Sequence, residues 1–294
     1  FGNISQMPQI LRGFGIDNCI FGRGLLRGDL PVDFVWQGAD GSAVLANFLA
    51  FWYNNLQRLP DDPDAALAAV IRARDLLAPL ARSRHLLLMN GVDHLEAQAN
   101  LSPLLAAVNA RLDAEGSPDH LVHSNLQQFV DALRADAPRQ GDAYDLPVVA
   151  GELRADRGSM VLAGTLSARM YLKQENWKAQ TALEKWAEPF QSWAWLAGGT
   201  YDHGALLYAW KLLMQNHPHD SICGCSVDEV HAEMMPRFRQ VEQLADELAG
   251  RGLELLTGSV NTGPARTDGP GAALVLYNPL AFERRECVEA VVEF

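Results

Sequence analysis

Residues 86–94 read Leu-Leu-Leu-Met-Asn-Gly-Val-Asp-His, an apolar run that ends in a turn carrying a carboxylate and an imidazole. A short apolar run bounded by turn residues is typical of a strand buried on both faces, as in a parallel sheet. In such folds the side chains that perform chemistry lie at the C-terminal ends of the strands. Asp93 is therefore a candidate general acid. The alternative is that it only forms an Asx-turn that caps the next segment.

Strand and helix patterns alternate on both sides of this stretch, through about the first 150 residues. The predicted strands are Asp17–Phe21, Asp33–Trp36, Ala43–Leu49, His85–Met89 and His120–His123, and the predicted helices are Ala65–Leu80 and Leu101–Leu112. Alternation of this kind predicts parallel βαβ units.

The sequence changes character after about residue 160. Three helical patterns follow one another, Ser167–Leu196, Gly204–Asn216 and Ser226–Leu256. Their short connections predict an antiparallel three-helix bundle, and Ser226 with Glu229 has the spacing of a capping box. The character changes again from about residue 257, where the Gly- and Pro-rich linker Asn261–Gly271 leads into strand-like segments at 273–277 and 286–294. These segments predict the start of a β domain.

The composition is that of a globular protein with an acidic surface: 48% of residues are hydrophobic, 20% are charged and the net charge is -12. Such a surface repels phosphate backbones, so the charge argues against nucleic acid as a partner. No apolar run reaches the roughly 20 residues of a membrane span and no signal peptide is visible, so no membrane partner is predicted. The four cysteines are too few for a disulfide scaffold, and we interpret them as thiols in a reducing, cytoplasmic compartment.

A second candidate site is His217-Pro218-His219-Asp220, between two predicted helices. Pro218 interrupts the helix, so both imidazoles leave the regular helical surface. Zinc accepts imidazole nitrogen readily, and a neighbouring carboxylate can orient such a ligand. The alternative is a helix C-terminus whose histidines satisfy terminal carbonyls. With Cys223 and Cys225 the histidines could also form a closed structural zinc site, or the two thiols could be small buried side chains.

Several segments, in this order, resemble glycoside hydrolase family 38, the α-mannosidases. They are Phe1–Leu11, Phe34–Ser42, Asn90–His94, Gly151–Arg154, Leu162–Arg169 and Asn216–His231. The last is most similar to bacterial, cytoplasmic members. The resemblance covers essentially the whole chain and implies an α/β plus all-α fold. The expected order is a partial (β/α)7 barrel in residues 1–150, a three-helix middle domain in 151–256, and a linker with the first strands of a β-sandwich in 257–294.

The resemblance also implies a retaining, zinc-dependent hydrolase of terminal α-mannosides. Asp93 matches the general acid/base of the family, and His219 matches one ligand of the Zn2+ ion. The matching substrate-binding residues are Phe1, Arg23, Tyr53 and Asp220. Tyr53 lies in a loop whose length differs from that of the family, which makes its match less direct.

The family's nucleophilic Asp would fall two residues before Phe1, and its His-x-Asp pair of metal ligands lies further upstream. The resemblance therefore predicts that this sequence is a fragment, inactive by itself. The incomplete barrel would leave sheet edges open, and open edges favour self-association into a homo-oligomer. The competing interpretation is a non-catalytic interaction module that docks through the Trp-rich helices.

Overall fold

The computed structural model of the chain describes residues 2–28, 30–157, 160–263, 272–278 and 280–291. It divides into two compact units, Phe1–Ala163 and Gly164–Phe294. None of the helices in the described ranges is both long enough and apolar enough to cross a membrane.

The first unit is built around a four-stranded sheet with the strand order β1-β3-β2-β6. The strands are β1 (Asn18–Phe21), β2 (Asp33–Gln37), β3 (Ala43–Phe48), β4 (Arg139–Gln140), β5 (Ala143–Tyr144) and β6 (Val148–Ala150), of which β4 and β5 pair with each other. The helices are α1 (Met7–Gly13), α2 (Pro63–Leu77), α3 (Leu101–Ala114) and α4 (Leu126–Asp136), and a 3₁₀ turn, Ala78–Leu80, follows α2.

The sheet is mixed, so the prediction of parallel βαβ units holds for the direction of two strand pairs and is wrong for the third. β3 pairs with β1 in parallel but with β2 antiparallel, and β2 pairs with β6 in parallel. The connection between β2 and β3 is too short for a parallel crossover, which needs about a dozen residues or more. The Gly38 N–H donates to the Ser42 carbonyl oxygen over 2.8 Å, and this bond closes a hairpin at Asp40-Gly41.

Both faces of the sheet are covered. Phe34, Trp36 and Ala46 are buried in a cluster on one face, while Leu45 packs with residues of α4. The Trp36 indole N–H donates to the Gly151 carbonyl oxygen over 2.8 Å, so the polar edge of this buried ring is satisfied. A further apolar cluster joins α2 and α3. These contacts fix the loops that carry the candidate site residues.

Two predicted strands, His85–Met89 and His120–His123, carry no regular secondary structure. Asparagine side chains bond to their backbone where a neighbouring strand would. The Asn55 amide donates to the Leu87 carbonyl oxygen over 3.0 Å and accepts from the Met89 N–H over 2.7 Å. The Asn109 amide makes the same pair of bonds to Leu121, over 2.9 and 2.8 Å. Backbone groups are thus satisfied without a ladder.

The second unit is helical around one apolar core. Its helical stretches are α5 (Met170–Thr181), a π-helical segment (Ala182–Ala187), α6 (Glu188–Leu196), α7 (His203–Met214), α8 (His219–Cys223) and α9 (Asp228–Gly258). The first three are continuous, so one helical stretch runs from Met170 to Leu196. Leu183, Leu213 and Phe238, from three different stretches, are fully buried together.

Two expectations for the second unit are wrong. Ser226 does not cap the third long helix, because Val227 occupies the N-cap position of that helix. The Ser226 N–H donates to the Asp220 carbonyl oxygen over 3.1 Å at the end of α8. α9 then begins at Asp228 without a side-chain cap. Residues 272–278 and 280–291 contain no strand, and 292–294 lie outside the described residues. Tyr277 lies against α6, with ring centroids 5.9 Å from Phe190.

Candidate active site

Asp93 lies in a loop that the preceding segment holds in place. The Leu56 N–H donates to the Met89 carbonyl oxygen over 3.1 Å, and the Gly91 N–H donates to the Gln57 carbonyl oxygen over 2.8 Å. Gly91 has a φ of +118°, which side-chain-bearing residues rarely adopt, so the turn before Asp93 requires glycine. The Asp93 side chain is exposed, and its Oδ2 accepts a hydrogen bond from the Tyr53 hydroxyl over 3.0 Å.

Arg23 joins this pair through Trp52. The Arg23 guanidinium carbon lies 4.8 Å from the centroid of the Trp52 ring, within cation–π range. The Trp52 and Tyr53 rings are 5.4 Å apart. The structure therefore brings Arg23, Tyr53 and Asp93 into one chain of contacts. Sequence reasoning missed Trp52, whose φ of +75° is rare for a bulky residue and has no counterpart in the sequence pattern.

Phe1 lies outside the described residues, but the segment after it is well placed. The Asn3 N–H donates to the Leu153 carbonyl oxygen over 2.9 Å, and its side-chain amide donates to the Arg23 carbonyl oxygen over 2.9 Å. Asn3 therefore fixes the backbone on which Arg23 sits. The sequence did not single out Asn3 for this contact.

His219 and Asp220 open the short helix α8 in the second unit. The His219 Nε2 lies 3.5 Å from the Asp220 Oδ1, and their side chains are 73% and 64% exposed. The Cys225 thiol donates to the same Asp220 oxygen over 3.3 Å, and this hydrogen bond raises the pKa of Cys225. Cys225 is exposed and Cys223 half-buried, so the interpretation of two buried thiols is wrong.

The residues before His219 are anchored from two helices. Asn216 is fully buried; its amide donates to the Met234 carbonyl oxygen over 3.0 Å and accepts from the Arg237 guanidinium over 3.3 Å. The His217 Nε2 lies 2.6 Å from the Asn176 Oδ1. Burial lowers the pKa of His217, which favours its neutral form. The chain therefore enters α8 from a fixed position.

The donor atoms present fit only part of a zinc site. Among the residues described, no group of three or more His, Cys, Asp or Glu side chains could hold a metal ion. The closed structural zinc site is therefore not formed by its four candidate ligands, His217, His219, Cys223 and Cys225. The Nε2 of His217 is instead hydrogen-bonded to Asn176. What remains is one accessible imidazole beside one carboxylate, whereas zinc takes four ligands.

Comparison with protein families decides the relationship. Residues 1–152 match the glycosyl hydrolases family 38 N-terminal domain, and residues 161–256 match the alpha mannosidase middle domain. The chain belongs to glycosyl hydrolase family 38. Its relatives are accordingly glycosidases of the α-mannosidase type.

Individual family 38 relatives agree with this assignment. A protein of Halalkalibacterium halodurans named "Putative mannosylglycerate hydrolase" is 34% identical over an alignment 277 residues long, which covers 89% of this chain and 30% of the relative. The human "Alpha-mannosidase 2C1" is 24% identical over an alignment 302 residues long, which covers 97% of this chain and 25% of the relative.

Two solved structures from Enterococcus faecalis are also similar. An alpha-mannosidase of strain V583 has a TM-score of 0.78 and 36% identity, covering 89% of this chain and 29% of that one. A protein of glycosyl hydrolase family 38 has a TM-score of 0.66 and 34% identity, covering 88% and 26%. The chain thus spans less than a third of the length of these relatives.

Proposed function

We propose that this chain is part of a retaining, zinc-dependent α-mannosidase that hydrolyses terminal α-mannosides. The observation that supports the proposal most directly is the contact between Asp93 and Tyr53 in a family 38 N-terminal domain. A carboxyl group on a loop fixed by backbone hydrogen bonds, with one oxygen held by a phenol, has a defined direction for proton transfer.

Asp93 is the proposed general acid/base. It protonates the glycosidic oxygen as the leaving group departs, and it then takes a proton from the water that attacks the glycosyl-enzyme intermediate. The nucleophile is a second carboxylate, expected upstream of Phe1 by resemblance to the family. Retention requires about 5–5.5 Å between the two carboxyl groups. Arg23 and Tyr53 are the proposed contacts to the sugar. Tyr53 also holds Asp93 through its hydroxyl group.

His219 is the proposed zinc ligand in this chain, with Asp220 contacting the substrate. Its exposure and the fixed approach through Asn216 and His217 support this role. The remaining ligands are expected upstream, so the 294 residues alone are proposed to be inactive. When bound, zinc supplies a Lewis acid for the sugar hydroxyls.

The deciding experiment is hydrolysis of an aryl α-mannoside by the full-length protein, with and without added zinc. Asp93→Asn is expected to abolish turnover and leave the zinc content unchanged. His219→Ala is expected to lower the zinc content, measured by metal analysis. Normal zinc in His219→Ala would remove the ligand assignment, and zinc-dependent hydrolysis by the isolated 294 residues would refute their proposed inactivity.

Location and assembly are proposed on narrower grounds. All four cysteines are free thiols, which favours a reducing, cytoplasmic compartment. β1 and β6 are edge strands of the four-stranded sheet, and strand edges favour pairing between copies. We therefore propose that the isolated 294-residue chain forms a homo-oligomer, and light scattering that shows only its monomer would contradict this.

A further inference from the structure

Cys225 folds back onto Asp220, the residue proposed to contact the substrate. The Cys225 thiol donates to the Asp220 Oδ1 over 3.3 Å, and the Cys225 N–H donates to the Asp220 carbonyl oxygen over 3.1 Å. The Ser226 N–H donates to the same carbonyl oxygen over 3.1 Å. Asp220 and Cys225 are therefore joined through both the side chain and the backbone, although they are five positions apart in sequence.

The turn that carries Cys225 is held by the segment before α5. Gly224 has a φ of +83°, which residues with a side chain rarely adopt. A Cβ at this position would lie 3.1 Å from the Ala168 carbonyl oxygen, so glycine also permits the close approach of the two segments. The Arg169 guanidinium donates to the Gly224 carbonyl oxygen over 3.2 Å and pairs with Asp228 over 2.6 Å. The position of Cys225 is thus fixed by its surroundings.

The thiol holds one oxygen of the Asp220 carboxylate and leaves the other accessible. Oδ1, which accepts from Cys225, also lies 3.5 Å from the His219 Nε2. Oδ2 has no hydrogen-bond partner among the described residues, and the Asp220 side chain is 64% exposed, so Oδ2 can accept from a sugar hydroxyl. The hydrogen bond to Asp220 raises the pKa of Cys225, which therefore keeps its proton and remains a donor at neutral pH.

We propose that Cys225 is a positioning residue, whose thiol holds the Asp220 carboxylate in the rotamer that directs Oδ2 to a hydroxyl group of the substrate. The inference rests on the proposed function, in which Asp220 contacts the sugar. An exposed aspartate otherwise exchanges among several rotamers, and each of them directs its oxygens differently. Holding one rotamer before the substrate binds lowers the entropy cost of binding. Cys225 acts through Asp220 and takes no part in the bond-breaking step.

The test replaces the thiol in the full-length protein and measures hydrolysis of 4-nitrophenyl α-mannoside. Cys225→Ala removes the donor and is expected to lower kcat/KM about three- to tenfold, with KM changing more than kcat, in line with the loss of one hydrogen bond. Cys225→Ser keeps a donor at the same position and should retain at least about half of the wild-type value. A role in packing alone would not be rescued by serine, which is more polar than cysteine.

Cys223→Ala is the matched control. Cys223 is a half-buried cysteine on the other side of Gly224, and its thiol donates no hydrogen bond to Asp220. This variant is expected to keep the wild-type kcat/KM. Equal kcat/KM in Cys225→Ala and the wild type, or an equal loss in Cys225→Ser and Cys225→Ala, would overturn the positioning role. Circular dichroism verifies that each variant is folded.

Alkylation by iodoacetamide tests the contact without any substrate. Asp220→Asn removes the negative charge of the acceptor, so it should lower the pKa of Cys225 and accelerate its alkylation at pH 8. The exposed Cys287 should react at the same rate in both proteins. Unchanged alkylation of Cys225 would overturn the contact itself. If alkylation is accelerated but the wild-type protein hydrolyses no α-mannoside, the contact exists, and the proposed function fails together with the positioning role.

Discussion

The Tyr53 hydroxyl donates to the Oδ2 of Asp93 over 3.0 Å, and the two residues are 40 positions apart in sequence. An exposed carboxylate would otherwise sample several rotamers, each aiming its oxygens differently. The neighbouring Trp52 ring, 5.4 Å from that of Tyr53, restricts the phenol in turn. Tyr53 is therefore interpreted as a positioning residue for Asp93.

Tyr53→Phe in the full-length protein is expected to lower kcat on an aryl α-mannoside about three- to tenfold, in line with the loss of one hydrogen bond. KM should change less, because the ring and its packing remain. Tyr208→Phe is the control, since Tyr208 is an exposed tyrosine in α7. Equal kcat in Tyr53→Phe and the wild type would show that the contact does not position Asp93.

Asn216→Ala tests the anchor that precedes His219. The buried amide bonds to Met234 and Arg237, so its removal is expected to lower the free energy of unfolding by about 1–3 kcal/mol. Gln215→Ala, at the exposed neighbouring position, should change it by less than about 0.5 kcal/mol. Urea unfolding followed by circular dichroism measures both, and similar values for the two variants would contradict the anchor.

Helix positions follow from the sequence more closely than strand pairing does. Ser167–Leu196 is predicted as helical and Met170–Leu196 is observed, because an apolar stripe at helical spacing is local information. Strand pairing depends on distant partners. An asparagine such as Asn55 looks the same in sequence whether its amide faces water or bonds to Leu87 and Met89.

The candidate site was accessible to sequence reasoning only in part. The position of Asp93 after an apolar run makes it a candidate by physics alone, whereas the roles of Tyr53 and His219 rest on resemblance and stay predictions. Trp52 and Asn3 could not be identified from the sequence. The contact of Trp52 with Arg23 depends on a left-handed backbone at Trp52. The hydrogen bond from Asn3 to Arg23 joins two segments that are 20 positions apart in sequence.

Cys19 gives a prediction about reactivity. Burial raises the pKa of its thiol from 9.0 to about 12, so at pH 8 the thiolate fraction is about a thousandfold smaller than for an unperturbed thiol. Alkylation of Cys19 by iodoacetamide should therefore be slow at pH 8 and accelerate as the pH rises toward 12. The exposed Cys287 serves as the control within the same chain. Mass spectrometry of labelled peptides measures both rates, and equal rates at pH 8 would contradict the protection of the half-buried Cys19 thiol.

Gly24 and Gly28 form a matched pair that separates steric contact from backbone strain. Both have positive φ, +102° and +90°, so alanine at either position is expected to cost about 1–2 kcal/mol of folding free energy. At Gly24 a Cβ would also lie inside van der Waals contact of the Leu153 carbonyl, whereas at Gly28 it meets nothing within 4 Å.

Gly24→Ala is therefore expected to lower the free energy of unfolding by more than about 3 kcal/mol, and Gly28→Ala by about 1 kcal/mol. The difference arises because the Gly24 carbonyl oxygen accepts from the Ala155 N–H over 3.0 Å, which holds the two segments too close for a side chain. Denaturant unfolding of both variants measures it. Gly24 adjoins Arg23, so Gly24→Ala should also displace the guanidinium from Trp52 and change the tryptophan fluorescence. Equal losses of stability in the two variants would mean that backbone strain alone explains the glycine at position 24.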